Sequence, residues 1–323
     1  MKRIAVFTSG GDAPGMNASI RAVVRSAVYN KIEVYGIMRG YAGMISGNII
    51  PLQSSSVSNI IQKGGTILKS ARCSEFLEKE GRQKAFDQLK KFGIDGLVAI
   101  GGNGTFAGAQ QFYDEFGIPT VGIPGTIDND LYGTDYTLGY DTAVNTALEA
   151  IDKIRDTADS HERVFFIEVM GRDSGYIAIP CAIGGGAEIV MIPETHTSIN
   201  NVIDTLQTGW SRSKTSFIII VAEGDEEGSA TGIAAKVKEH LPQMDARVSI
   251  IGHMQRGGSP SAADRMLGSR LGIAAVEGLL AGKKNVMAGL INSKLTYTPF
   301  KETIEKKKHI NPDLEKMIEI LSI

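Results

Sequence analysis

Short apolar runs that end in glycine or a polar residue alternate along this chain with stretches whose apolar residues recur every three or four positions. The runs at 4–8, 32–38, 94–100 and 118–123, and later at 164–169, 187–192, 217–222 and 248–251, are rich in β-branched residues, which predicts buried strands. Ile20, Val23, Val24, Ala27 and Val28 repeat at helical spacing and give one helix a buried face. A longer helix is predicted from Asp141, as its cap, to about 157, with Val144, Leu148, Ile151 and Ile154 as its apolar stripe and Glu149 paired to Lys153. Ser54, Ser55 and Ser56 open a further helical stretch, and the charged 301–308 segment reads as a surface helix. Two successive strand-and-helix series predict an α/β protein of two doubly wound lobes. Each lobe is expected to be a mainly parallel sheet with helices on both faces, with the active site in the cleft between them.

Length agrees with two domains, since 323 residues exceed what one hydrophobic core usually organises. The formal net charge of -2, from 34 basic and 36 acidic residues, advertises no nucleic-acid partner and no disordered acidic tail. Cys73 and Cys181 stand far apart, which fits a reducing cytoplasm better than a disulfide framework, and no zinc-binding spacing occurs. No signal segment and no run near the ~18 apolar residues of a membrane span is present, so a cytoplasmic protein without a membrane partner is expected. Glycine is the outlier, with 38 residues. Much of it directly follows the strands, where backbone must approach something closely.

Three of these glycine-rich strand ends carry candidate chemistry. In PGTIDND (124–130), Asp128 and Asp130 follow a strand's carboxyl end, where open α/β sheets bind ligands. In an extended segment residues two apart project to one side, so both carboxylates would share a pocket with the Thr126 hydroxyl. That suits a general base beside an acid that holds Mg²⁺, although the same residue types also form plain turns. SGGDAPGMN (9–17) leads into a helix and is either an anion site or a structural turn; it is neither a Walker loop nor GxGxxG. GGNGT (101–105) has three glycines in four positions and lets backbone lie against a polyphosphate. Arg21 and Arg25 share one helix flank, Arg72 follows a glycine pair, and Arg155 near its helix end satisfies carbonyls; each has an ordinary surface role as the alternative.

The stretches TSGGDAPGMN (8–17), GGNGT (101–105), PGTIDND (124–130), MGR (170–172) and GHMQRGGSP (252–260), in this order, resemble the bacterial ATP-dependent 6-phosphofructokinases from about residue 4 to 280. The resemblance implies transfer of the γ-phosphoryl of ATP to the 1-hydroxyl of fructose 6-phosphate. It assigns Asp128 as base, with Thr126, Arg72, Arg172 and the Gly11 backbone N–H around the transferring group. ATP would lie along Gly102, Asn103, Gly104 and Thr105, near Arg72 and Cys73. Fructose 6-phosphate would meet Thr126, Ile127, Asp128, Arg163, Met170, Gly171, Arg172, Glu223, Arg247, His253, Met254, Gln255 and Arg256. In the family, the counterparts of Arg163 and Arg247 come from a neighbouring subunit, which implies a homotetramer with shared sites. The implied lobes are 1–139 with about 255–305 for ATP, and 140–254 with about 306–323 for the sugar phosphate.

Donor choice follows from Gly104 and Gly125, which leave room for a nucleotide where pyrophosphate-using relatives carry an acid and a lysine. Two departures qualify the resemblance. Asn103 stands where the family usually has an aspartate associated with Mg²⁺, so Asn103 and Asp130 make a metal site with less charge. A catalytically weak sugar-phosphate-binding or regulatory subunit is the alternative it raises, ahead of a pyrophosphate-dependent enzyme. The site for ADP or phosphoenolpyruvate keeps Arg21, Arg25, Arg155, Gly186, Glu188, Arg212 and Lys214. However, Ser54, Thr215 and Ser216 stand where relatives often have basic residues and Tyr176 replaces an acid. Weaker or altered allosteric control is expected.

Overall fold

Residues 1–321 are described by a computed structural model; Ser322 and Ile323, within the expected second lobe, lie outside the described residues. The chain runs β1 (Arg3–Thr8), α1 (Met16–Tyr29), β2 (Glu33–Ile37), α2 (Gly40–Ser46), β3 (Ile49–Leu52), α3 (Lys79–Phe92), β4 (Gly96–Gly101), α4 (Asn103–Phe116), β5 (Thr120–Pro124) and α5 (Tyr140–His161). It continues through β6 (Val164–Val169), α6 (Ala178–Gly185), β7 (Ile189–Met191), α7 (Ile199–Ser211), β8 (Phe217–Ala222), α8 (Ala230–His240) and β9 (Ala246–Ile250). Then follow α9 (Ala262–Leu280), β10 (Val286–Ile291), β11 (Lys294–Pro299), α10 (Phe300–Glu305) and α11 (Pro312–Leu321). The chain divides into two units. The first comprises Met1–Ile127, Leu131–Thr142 and Arg256–Lys308, and the second Asp128–Asp130, Ala143–Gln255 and His309–Ile323.

In the first unit the sheet order is β11-β10-β5-β4-β1-β2-β3, parallel throughout its interior and antiparallel at both edges, β10 to β11 and β2 to β3. Parallel strands must be covered on both faces, and their uninterrupted apolar runs reflect that. Ala5 and Phe7 of β1 join Tyr41, Met44, Leu89 and Phe112 in a core under α2, α3 and α4. Each fully buried aromatic there contributes about 2 kcal/mol. α1 and α9 pack on each other, and Leu279 of α9 faces β4 at Gly96. The second unit has a four-stranded parallel sheet, β7-β8-β6-β9, with a core of Phe166, Val221 and Phe217 packed against Val202, Leu206 and Val237 of α7 and α8.

Several local expectations change. Residues 54–59 form turns, not a helix: the Gln53 N–H donates to Ser56 Oγ and the Ser56 N–H to Gln53 O. Serine side chains offer the backbone these local partners in competition with the helical ladder. Asp141 lies inside the first turn of α5 and accepts a hydrogen bond from Ser261 Oγ, because the cap comes from Asp264 instead. The helix at 301–308 stops at Glu305, where Lys307 pairs with Leu131 as an isolated bridge. The predicted Glu149–Lys153 pair is present at 2.6 Å.

Candidate active site

The glycine loop after β4 is a single residue. β4 ends at Gly101, Gly102 is the N-cap, and Asn103, Gly104 and Thr105 form the first turn of the fourteen-residue α4. The open N–H groups and positive dipole end of that helix therefore stand directly at the strand's carboxyl end, as an anion site requires. A Cβ at Gly102 or Gly104 would meet no protein atom within 4 Å, so the space over this turn is open. Tyr41 fixes the turn from beneath: its buried hydroxyl donates to Thr105 O at 2.6 Å and its ring stacks on Phe76. Burial pushes the Tyr41 phenol well above its usual range, which keeps it a donor.

The loop after β1 is braced by Arg256, whose Nη1 donates to Asp12 O at 3.4 Å and would lie 2.6 Å from a Cβ on Gly11. Arg256, assigned from the sequence to the sugar phosphate, thus lies against the first glycine loop. Arg72 is exposed, while Cys73 is half-buried against the core that holds Tyr41 and Phe76. Thr126 O accepts from Thr137 Oγ at 2.6 Å, and Ile127 is fully buried. At Gly125 a second reason joins the one drawn from the sequence. A Cβ there would meet Met16, Ile100 and Gly101 within 3.2 Å, so the strand's own packing also asks for glycine at this position.

The second unit contains the carboxylates. Asp128 is buried and Asp130 half-buried, but the segment is not extended: the chain bends at 127–128 and Asn129 has φ 52°. The two-residue alternation expected of a strand therefore does not orient Asp128 and Asp130. The turn after β6 is held at several points. Met170 N–H donates to Gln255 Oε1 at 2.8 Å, Arg172 N–H donates to Glu223 Oε1 at 2.7 Å, and Arg172 sits at φ 56°. Gln255 is fully buried and Glu223 exposed, so Gln255 braces the turn while Glu223 also faces outward. The Arg172 side chain is exposed. Tyr176 lies near Glu194 and Asp130; burial first, then those charges, push its phenol up to about 12.

Arg163 and Arg247 converge on one carboxylate, Asp245, at 2.8 and 3.0 Å. The Arg163 hydrogen bond, with Arg247 adding charge, holds that carboxyl below its usual range. They meet because β6 and β9 pair in parallel with Phe165 opposite Arg247. His253 and Met254 are exposed on the short turn Gly252–Arg256.

The phosphofructokinase family profile matches residues 3–279. The chain belongs to the phosphofructokinase family. It is 68% identical over 322 residues to an ATP-dependent 6-phosphofructokinase of Cytophaga hutchinsonii, covering 100% of this chain and 98% of that one. It is 58% identical over 323 residues to ATP-dependent 6-phosphofructokinase 1 of Thermus thermophilus, covering 100% of both. Its fold matches the phosphofructokinase structure from Saccharomyces cerevisiae with a TM-score of 0.90 at 34% identity; it covers 100% of this chain and 48% of the yeast chain, about half its length.

Within this phosphofructokinase the expected effector residues are distributed over both units. Arg21 is half-buried and Arg25 exposed on α1. In the second unit, Arg155 satisfies carbonyls, but those of Gly185 and Gly186 at the end of α6 and not of its own helix, because α5 runs on to His161. Lys214 pairs with buried Glu188 at 2.6 Å, and both line a cavity of about 440 Å³ with Asp204, Thr208, Arg212 and Phe217. Sequence inspection missed Asp245, Ser174, Tyr41 and Asp264. Each has a partner distant in sequence, Arg163 for Asp245, Asp128 for Ser174, Thr105 for Tyr41 and Gly139 for Asp264; the Asp245–Arg247 pair, two positions apart, was the one local signal. No helix among the described residues is long and apolar enough to cross a membrane.

Proposed function

We propose that this chain transfers the γ-phosphoryl of ATP to the 1-hydroxyl of fructose 6-phosphate, giving ADP and fructose 1,6-bisphosphate. Its full-length relatives carry the name ATP-dependent 6-phosphofructokinase. The observation that supports it most directly is the bare first turn of α4, where Gly102 and Gly104 leave helix N–H groups open to a polyphosphate. Asp128 takes the proton of the 1-hydroxyl, whose oxygen bonds to the γ-phosphorus as the bond to the β–γ bridging oxygen breaks. Arg72, Arg172, the Thr126 hydroxyl and the Gly11 N–H bear the charge on the transferring group. Arg163, Arg247 and His253 hold the sugar's phosphate, and Glu223 its hydroxyls.

Mg²⁺ supplies charge neutralisation on the phosphate oxygens when bound. Asn103 and Asp130 would hold it: both offer hard oxygen donors. An ion held by two protein oxygens keeps water and phosphate oxygens as its remaining ligands. Purified protein with fructose 6-phosphate and ATP is expected to produce ADP under a Mg²⁺ titration, with pyrophosphate inactive as donor. Asn103→Asp is expected to lower the half-saturating Mg²⁺ severalfold. Absence of turnover with either donor, alongside retained fructose 6-phosphate binding, would make the chain a binding subunit.

The family's homotetramer, with Arg163 and Arg247 serving a neighbouring copy, is supported by β9, an edge strand whose Val248 and Ile250 are exposed. Effector control is weakened, because Lys214 is committed to Glu188 and Arg155 to carbonyls. ADP or phosphoenolpyruvate is expected to shift the half-saturation for fructose 6-phosphate by less than about fivefold, the lower end of allosteric coupling. A larger shift in steady-state titrations would refute the weakening.

A further inference from the structure

We propose that Ser174 is a positioning residue for Asp128, tying the main chain of the base to the turn that carries Arg172. Its role rests on Asp128 being the base of the kinase reaction proposed above. Ser174 is 5% exposed, and its Oγ lies 3.2 Å from Asp128 O and 3.0 Å from Gly171 O. A hydroxyl donates one proton. Gly171 O, which also accepts the Ser174 backbone N–H at 3.1 Å, closes the turn locally, whereas the contact with Asp128 O is the one that links this turn to the base.

The carbonyl it reaches belongs to the peptide between Asp128 and Asn129. Asn129 follows in the left-handed region at φ 52°, a conformation that asparagine tolerates and that persists when its surroundings over-determine it. Rotation of this peptide changes ψ of Asp128 and φ of Asn129, the backbone frame from which the carboxylate projects. Ser174 opposes that rotation from a braced support, because Gln255 and Glu223 hold the N–H groups of Met170 and Arg172 in the same turn. The hydroxyl is buried and aimed at main chain, so it serves geometry and not substrate contact. A base must come within hydrogen-bond reach of the proton it takes, and a misplacement of about 1 Å costs up to about 100-fold in rate.

Steady-state kinetics with ATP and fructose 6-phosphate on the full-length protein tests this, with Ser174→Ala, Ser174→Cys and Ser174→Thr beside wild type. Thermal midpoints and fructose 6-phosphate calorimetry accompany the kinetics. Ser174→Ala and the weakly donating Ser174→Cys are expected to lose about tenfold in kcat with both KM values within about twofold. Ser174→Thr, which retains the hydroxyl, is expected to stay within about threefold of wild type. Wild-type kcat in the Ala and Cys variants overturns the proposal. So does equal loss in all three variants, a loss confined to KM, or a lowered midpoint with kcat intact. Wild-type protein without turnover refutes the kinase function itself, and the assignment of Ser174 falls with it for that separate reason.

Discussion

Asp128→Ala is expected to lower kcat for fructose 6-phosphate phosphorylation by about three orders of magnitude while the protein stays folded and still binds the sugar phosphate. General base catalysis accounts for a loss of that size, since the 1-hydroxyl is a poor nucleophile until its proton has somewhere to go. Asp128→Asn separates proton transfer from shape, because the amide keeps the volume but cannot take the proton; an equal loss is expected. The phosphate contacts proposed above lie on other residues, so the dissociation constant for fructose 6-phosphate in calorimetry is expected to change by less than about threefold. Activity within tenfold of wild type in either variant would remove Asp128 from the base role.

Asp264→Ala is expected to destabilise the protein by about 3 kcal/mol. Asp264 is 1% exposed, and its carboxylate accepts the N–H of Gly139 at 2.7 Å, the N–H of Thr142 at 2.9 Å and the Thr142 hydroxyl. It thereby caps α5 from α9, while Ser261 caps α9 and donates to Asp141. A Cβ on Gly15 would meet Asp264 O and Cβ at 3.2 and 3.3 Å, so the start of α9 lies against the first glycine loop while the Asp264 carboxylate itself holds the start of α5. Truncation leaves those donors without an acceptor, which outweighs relief from burying a charge. Denaturant unfolding followed by circular dichroism measures the loss; a change under about 1 kcal/mol would mean water replaces the cap.

Burial raises the Asp264 carboxyl above its usual range, against the lowering effect of its hydrogen bonds. The folded state therefore binds this proton more readily than the unfolded chain. The linked contribution to stability falls as pH rises through the folded value, and is largest below the unfolded value near about 3.9. Asp264→Asn is expected to remove that component of the pH dependence.

Strands buried on both faces were the most legible part of the chain. The apolar runs predicted at 164–169 and 217–222 coincide with Val164–Val169 and Phe217–Ala222. α3, by contrast, is largely charged, with only Gly81, Arg82, Ala85 and Leu89 buried, so no apolar stripe announced it. Ser54 to Ser56 misled for the opposite reason, since a residue type good at helix starts is equally good at satisfying a turn. At the candidate site, residue types and order were legible while directions were not. Asp128 and Asp130 were read as neighbours on an extended segment, and the left-handed Asn129 between them removes that geometry.

The sequence by itself determined the succession of strand, glycine and helix, the positions of the glycine turns proposed to bind anions, and the family. Those follow from periodicity, glycine placement and ordered motifs, all local along the chain. Only the tertiary structure decided which partner each buried polar group meets. Asp264 reaches Gly139 across 125 positions, Ser174 reaches Asp128 across 46, and Asp245 gathers Arg163 from 82 positions away. No repeat encodes such pairs. They arise when apolar faces dock and set the register between strands and helices, after which every buried donor must find an acceptor in whatever segment has been brought beside it.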